Sequence, residues 1–143
     1  MPSQVLPRET SHRITILLID DDKKDRTYWS NALRNSAYQY SVLEADSGES
    51  GFNLLREHAV DCVVLDLDMP ENGFFTLVRL IPDGKRPRVP VVILTRLMPT
   101  ALFELVKQHG AYACMVKHLC STEELTKTIQ QAMVSVKSME NEA

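Results

Sequence analysis

The sequence predicts an α/β domain: a five-stranded parallel sheet flanked by five helices in a doubly wound arrangement. Three observations carry that expectation. Short aliphatic runs such as Ile14-Thr15-Ile16-Leu17-Leu18-Ile19 and Cys62-Val63-Val64-Leu65 show no polar alternation, as expected of strands buried on both faces of a parallel sheet. These runs alternate with segments of helical period, the pattern of repeated strand-helix units. Carboxylates then fall at the downstream ends of two runs, Asp20 and Asp21 after the first and Asp66 after the second. That is where ligand sites of such sheets lie.

In order along the chain, the first strand is Ile14 to Ile19, and the helix after it carries Tyr28, Trp29, Ala32 and Leu33 on one face. A weaker strand follows from Tyr40 to Glu44. Asp46 with Glu49 three residues on reads as a capping box for the second helix, whose Phe52 and Leu55 are expected to face inward. The third strand is Cys62 to Leu65. Phe74, Leu77, Val78 and Ile81 mark the third helix, ended by Pro82-Asp83-Gly84, and the loop Lys85-Arg86-Pro87-Arg88 leads to a fourth strand from Val89 to Leu94. The fourth helix runs from Thr100 to His109 with Leu102, Leu105 and Val106 on one face, and Gly110 supplies its stop. The fifth strand is Ala111 to Val116. Ser121 and Glu124 form a capping box for the last helix, whose Leu125, Ile129, Met133 and Val136 repeat on one face. Residues 1–12 and 137–143 read as flexible tails around a single domain of residues 13–136.

Composition narrows the function. At 143 residues with 44% hydrophobic and 24% charged residues, the chain has the makeup of one ordinary globular domain. A net charge of -3 and 6% aromatic residues argue against direct nucleic-acid binding, which calls for basic excess and stacking platforms. No apolar stretch reaches a membrane span and no signal peptide opens the chain, so a cytoplasmic location is expected. Cys62, Cys114 and Cys120 lack C-x-x-C spacing and read as free thiols, and the four scattered histidines do not suggest a metal site.

The acids do. In strand order 2-1-3-4-5 the order reverses between strands one and three, and Asp20, Asp21 and Asp66 bound the crevice at that switch point. Clustered carboxylates repel one another without a hard cation, and Mg²⁺ (or Mn²⁺) binds through few carboxylates plus waters and phosphate oxygens. At the same edge, strand four ends at Thr95 and strand five at Lys117. A carboxylate nucleophile, a metal, an ammonium and a hydroxyl make up a set suited to phosphoryl transfer through an aspartyl phosphate. Asp66 is the natural nucleophile, being on the central strand. Asp22 has the plainer role of starting a helix.

At this point residues 13 to 136 resemble the response-regulator receiver domain of two-component signalling, a flavodoxin-like fold. Leu18-Ile19-Asp20-Asp21-Asp22 is similar to the family's acidic pair, and Val64-Leu65-Asp66-Leu67-Asp68-Met69-Pro70 to its phosphoacceptor segment. Pro90-Val91-Val92-Ile93-Leu94-Thr95 resembles the switch-threonine strand and Val116-Lys117 the lysine position. The resemblance implies that Asp66 accepts a phosphoryl group from a histidine kinase or histidine phosphotransfer protein. It further implies Mg²⁺ ligation by Asp21, Asp66 and the backbone carbonyl of Asp68, with Asp20 acting through water, and phosphoryl contacts from Thr95 and Lys117. A downstream protein would read the face formed by helix four, strand five and helix five, and a second copy of the chain is a further candidate partner. On this reading the domain is a signalling phosphoacceptor and not an enzyme beyond self-phosphorylation and slow self-dephosphorylation.

Several residues depart from the family pattern. His118 follows Lys117 where proline is usual, Cys114 stands at the aromatic switch position, Arg96 follows Thr95 in place of a small residue, and the loop from Pro70 to Gly73 is one residue short. Without proline, the Lys117-His118 bond is expected to be trans with a shifted loop, or cis at a cost of about 2.5 to 4 kcal/mol. Arg96 is expected to reach Asp68 or the phosphate, or else to be a solvated loop residue. Two rivals stand beside the receiver. Asp66-Leu67-Asp68 also matches the D-x-D of haloacid-dehalogenase-like phosphatases, although there the second acidic pair comes after, not before, that motif. A degenerate receiver used only for docking is the other.

Overall fold

The computed structural model describes residues 13–69, 73–81, 89–96 and 100–142. The expectations about residues 1–12, the Pro70 loop, and the segment from Pro82 to Arg88 lie outside them. The strands are β1 (Thr15–Ile19), β2 (Ser41–Ala45), β3 (Cys62–Leu65), β4 (Val91–Thr95) and β5 (Ala113–Val116). The helices are α1 (Lys23–Arg34), α2 (Gly48–Glu57), α3 (Gly73–Leu80), α4 (Thr100–Gln108) and α5 (Thr122–Glu142). All strand pairs are parallel, in the order β2-β1-β3-β4-β5.

Strand parity sorts the core into two layers, because successive side chains point to opposite faces. Ile16, Leu18, Val64, Val92 and Leu94 pack against Trp29 and Leu33 of α1 and Leu125, Ile129 and Ala132 of α5. Leu17, Ile19, Val63, Leu65 and Ile93 pack on the other side with Leu77, Ile81 and Val106. Both faces of β1, β3 and β4 are therefore covered, which is why these runs lack polar alternation. Two glycines have specific causes. Gly110 ends α4 with φ 97°, in the left-handed region. At Gly73 a Cβ would lie 2.5 Å from Leu67 Cα and 2.6 Å from its carbonyl oxygen. Only glycine lets the start of α3 sit against the loop that follows β3.

The helix faces differ from the apolar period at several positions. Tyr28 is 62% exposed, while Trp29 beside it is buried and meets it edge-on. Leu105 is 39% exposed, and Phe103 takes its place against the core. Phe52 does not join the core but lies half-buried beneath the guanidinium of Arg79, 4.0 Å from the ring centre. The cap of α2 is Ser47, whose hydroxyl accepts from the Ser50 N–H at 3.1 Å, not Asp46 with Glu49. A hydroxyl one residue nearer to the first turn reached the free N–H first. The capping box of α5 forms as expected, with Ser121 N–H donating to Glu124 Oε1 at 3.0 Å and Glu124 N–H to Ser121 Oγ at 3.1 Å. That helix runs on past Val136 to Glu142, since nothing in Lys137-Ser138-Met139-Glu140-Asn141-Glu142 breaks it.

Candidate functional site

The backbone ladder carries two carboxylates past the strand ends. Asp20 N–H donates to the Ala45 carbonyl and Asp66 N–H to the Ile19 carbonyl, both at 3.0 Å. Each acid thus leaves the sheet from a fixed position at the same edge. Thr95 closes β4 there, in register with Val116, and Lys117 follows β5 at the start of a short 3₁₀ turn, Lys117–Leu119. Asp20, Asp66, Thr95 and Lys117 are all buried, whereas Asp21, Asp68 and Arg96 are exposed.

Lys117 organises the interior. Its Nζ donates to Asp20 Oδ2 at 2.7 Å, to Asp66 Oδ2 at 2.8 Å and to Asp25 Oδ2 at 2.7 Å. An ammonium has three N–H bonds, and all are used. Burial alone would lower its pKa, but the three carboxylates outweigh that and hold it well above the ordinary lysine value. The remaining oxygens are held as well. Asp66 Oδ1 accepts from Asp68 N–H at 2.9 Å, and Asp20 Oδ1 from Asp22 N–H at 2.9 Å. Burial raises the Asp20 carboxyl to about 6, with the neighbouring Asp66 charge adding to it.

One oxygen each from Asp20, Asp21 and Asp66 lie within 4.8 Å of one another. Hard carboxylate oxygens at this spacing, partly open to solvent through Asp21, suit a divalent cation that keeps several waters. A cation there would also offset the repulsion between Asp20 and Asp66, which adds to the effect of burial on the Asp20 carboxyl. An open cleft of about 750 Å³ lies over them, lined by Asp21, Asp66, Asp68, Met69 and Arg96 among others.

The structure also places residues that the sequence did not single out. Asp25, in the first turn of α1, reaches Lys117, and its carboxyl is lowered: burial would raise it, but Lys117 and Arg96 outweigh that. Arg26 Nη1 donates to the Asp20 carbonyl at 2.7 Å, fixing the end of β1. Arg96 does not pair with Asp68. It binds Asp22 Oδ2 and Asp25 Oδ2, both at 2.9 Å, because α1 presents these acids one turn apart on the side facing β4. Asp22 caps α1 as expected, accepting from Asp25 N–H at 3.1 Å. No peptide bond among the described residues is cis, so the Lys117-His118 bond is trans and the chain turns there into the 3₁₀ segment. Cys62 and Cys114 are buried and Cys120 half-buried, and none of the three is in a disulfide.

Comparison with known proteins agrees with the fold. The family model for the response regulator receiver domain matches residues 16–130. Protein PilH of Pseudomonas aeruginosa is 30% identical over 119 residues, 82% of this chain and 96% of that one. The two-component response regulator ORR3 of rice (Oryza sativa subsp. indica) is 29% identical over the same share of this chain and 87% of its own. The chemotaxis protein CheY4 of Vibrio cholerae superposes with a TM-score of 0.73 at 24% identity, covering 85% of this chain and 99% of that one, a likeness of fold. Among the described residues no helix is long and apolar enough to cross a membrane.

Proposed function

Because the chain belongs to the response regulator receiver domain family of two-component systems, we propose that it is a phosphoacceptor switch in which Asp66 takes a phosphoryl group. The carrying observation is the clamp on Asp66: a buried carboxylate with Lys117 on one oxygen and the Asp68 N–H on the other, beside two further acids. In the transfer, an Asp66 oxygen forms a bond to phosphorus as the P–N bond to the donor's phosphohistidine breaks. The electron pair stays on the imidazole nitrogen, which takes up a proton from water. Lys117 holds Asp66 oriented before the reaction and then faces the phosphoryl oxygens. Thr95, at the same sheet edge, supplies a hydroxyl donor to them.

Mg²⁺ or Mn²⁺ would be held by Asp21, Asp66 and the Asp68 carbonyl, with Asp20 through water, and would neutralise charge on the transferring group. The donor is a histidine kinase or histidine phosphotransfer protein in the cytoplasm. A downstream protein reads α4, β5 and α5, because Thr95 and Lys117 border those elements. Hydrogen exchange confined to the surroundings of Asp20 and Asp66 on phosphorylation would contradict that output face.

Acetyl phosphate with Mg²⁺ tests the reading. Stoichiometric label mapped to Asp66 by mass spectrometry is expected. Steady hydrolysis of small phosphate esters would instead support the haloacid-dehalogenase-like phosphatase, and an unlabelled chain the docking-only receiver.

A further inference from the structure

Asp25 is joined to the site by a single atom. Its Oδ2 accepts from Lys117 Nζ at 2.7 Å and from Arg96 Nε at 3.1 Å, and lies 2.9 Å from Arg96 Nη2. The site thus contains two cations, and one carboxylate oxygen on α1 engages both. Arg96 is also tied to Asp22 and stands in the wall between two clefts. One, of about 750 Å³, contains Asp21, Asp66 and Asp68, and the other, of about 520 Å³, contains Asp25, Tyr28 and Lys117. A guanidinium in that wall has a forked set of donors matched to phosphate oxygens, but here they face carboxylates.

Resting on the phosphoacceptor reading, we propose that Asp25 is a positioning residue that withholds Arg96, and one of the three Lys117 hydrogen bonds, from an incoming phosphoryl donor. Asp25 engages the Nε of Arg96, and a third of the hydrogen-bonding capacity of Lys117 is directed to α1. An anionic donor must displace Asp25 from Arg96 before the guanidinium can bind it. The arrangement raises the donor concentration that the site requires and favours donors that bring binding energy from elsewhere, such as a docked protein, over small phosphorylated molecules.

The test is a double-mutant cycle on the full chain with acetyl phosphate and Mg²⁺, reading the half-saturating donor concentration for labelling of Asp66. Asp25→Asn is expected to lower it about threefold or more, within the range of coupling seen between contacting charges. In the Arg96→Gln background the same substitution should have less than half that effect, because the guanidinium it releases is gone. Asp25→Glu, which keeps the charge, should stay nearer the wild-type value than Asp25→Asn does, a distinction that loss of fold could not produce. An unchanged or raised half-saturation in Asp25→Asn overturns the proposal. So does an equal fold-change with and without Arg96, which would mark a simple field effect of one negative charge, and so does an Asp25→Glu variant equal to Asp25→Asn. Absence of label on the wild-type chain overturns the phosphoacceptor reading itself, and this proposal with it.

Discussion

The site has two halves that hold charge in different ways. In the interior, Asp20, Asp66 and Lys117 are 1%, 3% and 9% exposed and joined by bonds of 2.7 to 2.8 Å. At the rim, Arg96 meets Asp22 and Asp25 at 2.9 Å, but its side chain is 52% exposed and water competes for every partner. Similar distances therefore do not mean similar energies. The inner cluster is strongly interdependent, since a buried charge that loses its partner is left uncompensated. The rim is adjustable and salt-sensitive. The proposed phosphorylation switch has use for both: a fixed nucleophile and a rearrangeable edge.

The largest effect that would sharpen this contrast is expected from Lys117→Met. It leaves Asp20 and Asp66 buried without their cation and should cost about 3 kcal/mol or more in metal-free urea unfolding. A loss no greater than that of a rim variant would erase the distinction between the halves.

Next in size is the effect of pH on Asp20. Its folded-state pKa of about 6 lies above the ordinary 3.8, so the folded state binds the proton more tightly. Stability therefore falls as pH rises from about 4 to about 6, with nothing further from this group above that window. Asp20→Asn should accordingly be more stable relative to wild type at pH 7.5 than at pH 4.5 in EDTA. Melting curves at the two pH values check this, and a reversed order would mean that the Lys117 bond outweighs burial.

Metal tests the inner cluster from outside. Mg²⁺ at about 100 times its dissociation constant should stabilise the chain by about 2.7 kcal/mol, and Asp21→Asn should remove most of that gain while changing metal-free stability little. The smallest effect is expected from Arg96→Ala, whose exposed ion pairs contribute about 0 to 1 kcal/mol, less at high salt. A loss of several kcal/mol there would show the rim to be as rigid as the interior.

The same division separates what could be read in the sequence from what could not. Asp20, Asp66, Thr95 and Lys117 were legible because strand ends place them: an unbroken apolar run fixes where its carboxyl end falls, and parallel order brings four such ends together. Asp25 was not, because its role depends on Arg96 and Lys117, 71 and 92 residues away in the chain. The only local hint was its spacing from Asp22, which sets both acids on one side of α1. Tyr28, Phe52 and Leu105 were misassigned because apolar period alone does not say how wide a face the neighbouring elements cover. Ser47 was overlooked for a similar reason, as several polar residues competed for one cap.

Asp66 is the centre of the proposed switch, and the most direct measurement is the intact mass of wild type and Asp66→Asn after acetyl phosphate treatment with Mg²⁺ or EDTA. One phosphoryl group should be added to the wild type in Mg²⁺, and none to Asp66→Asn or to either protein in EDTA. Full labelling of Asp66→Asn, or of the wild type without metal, would contradict the account.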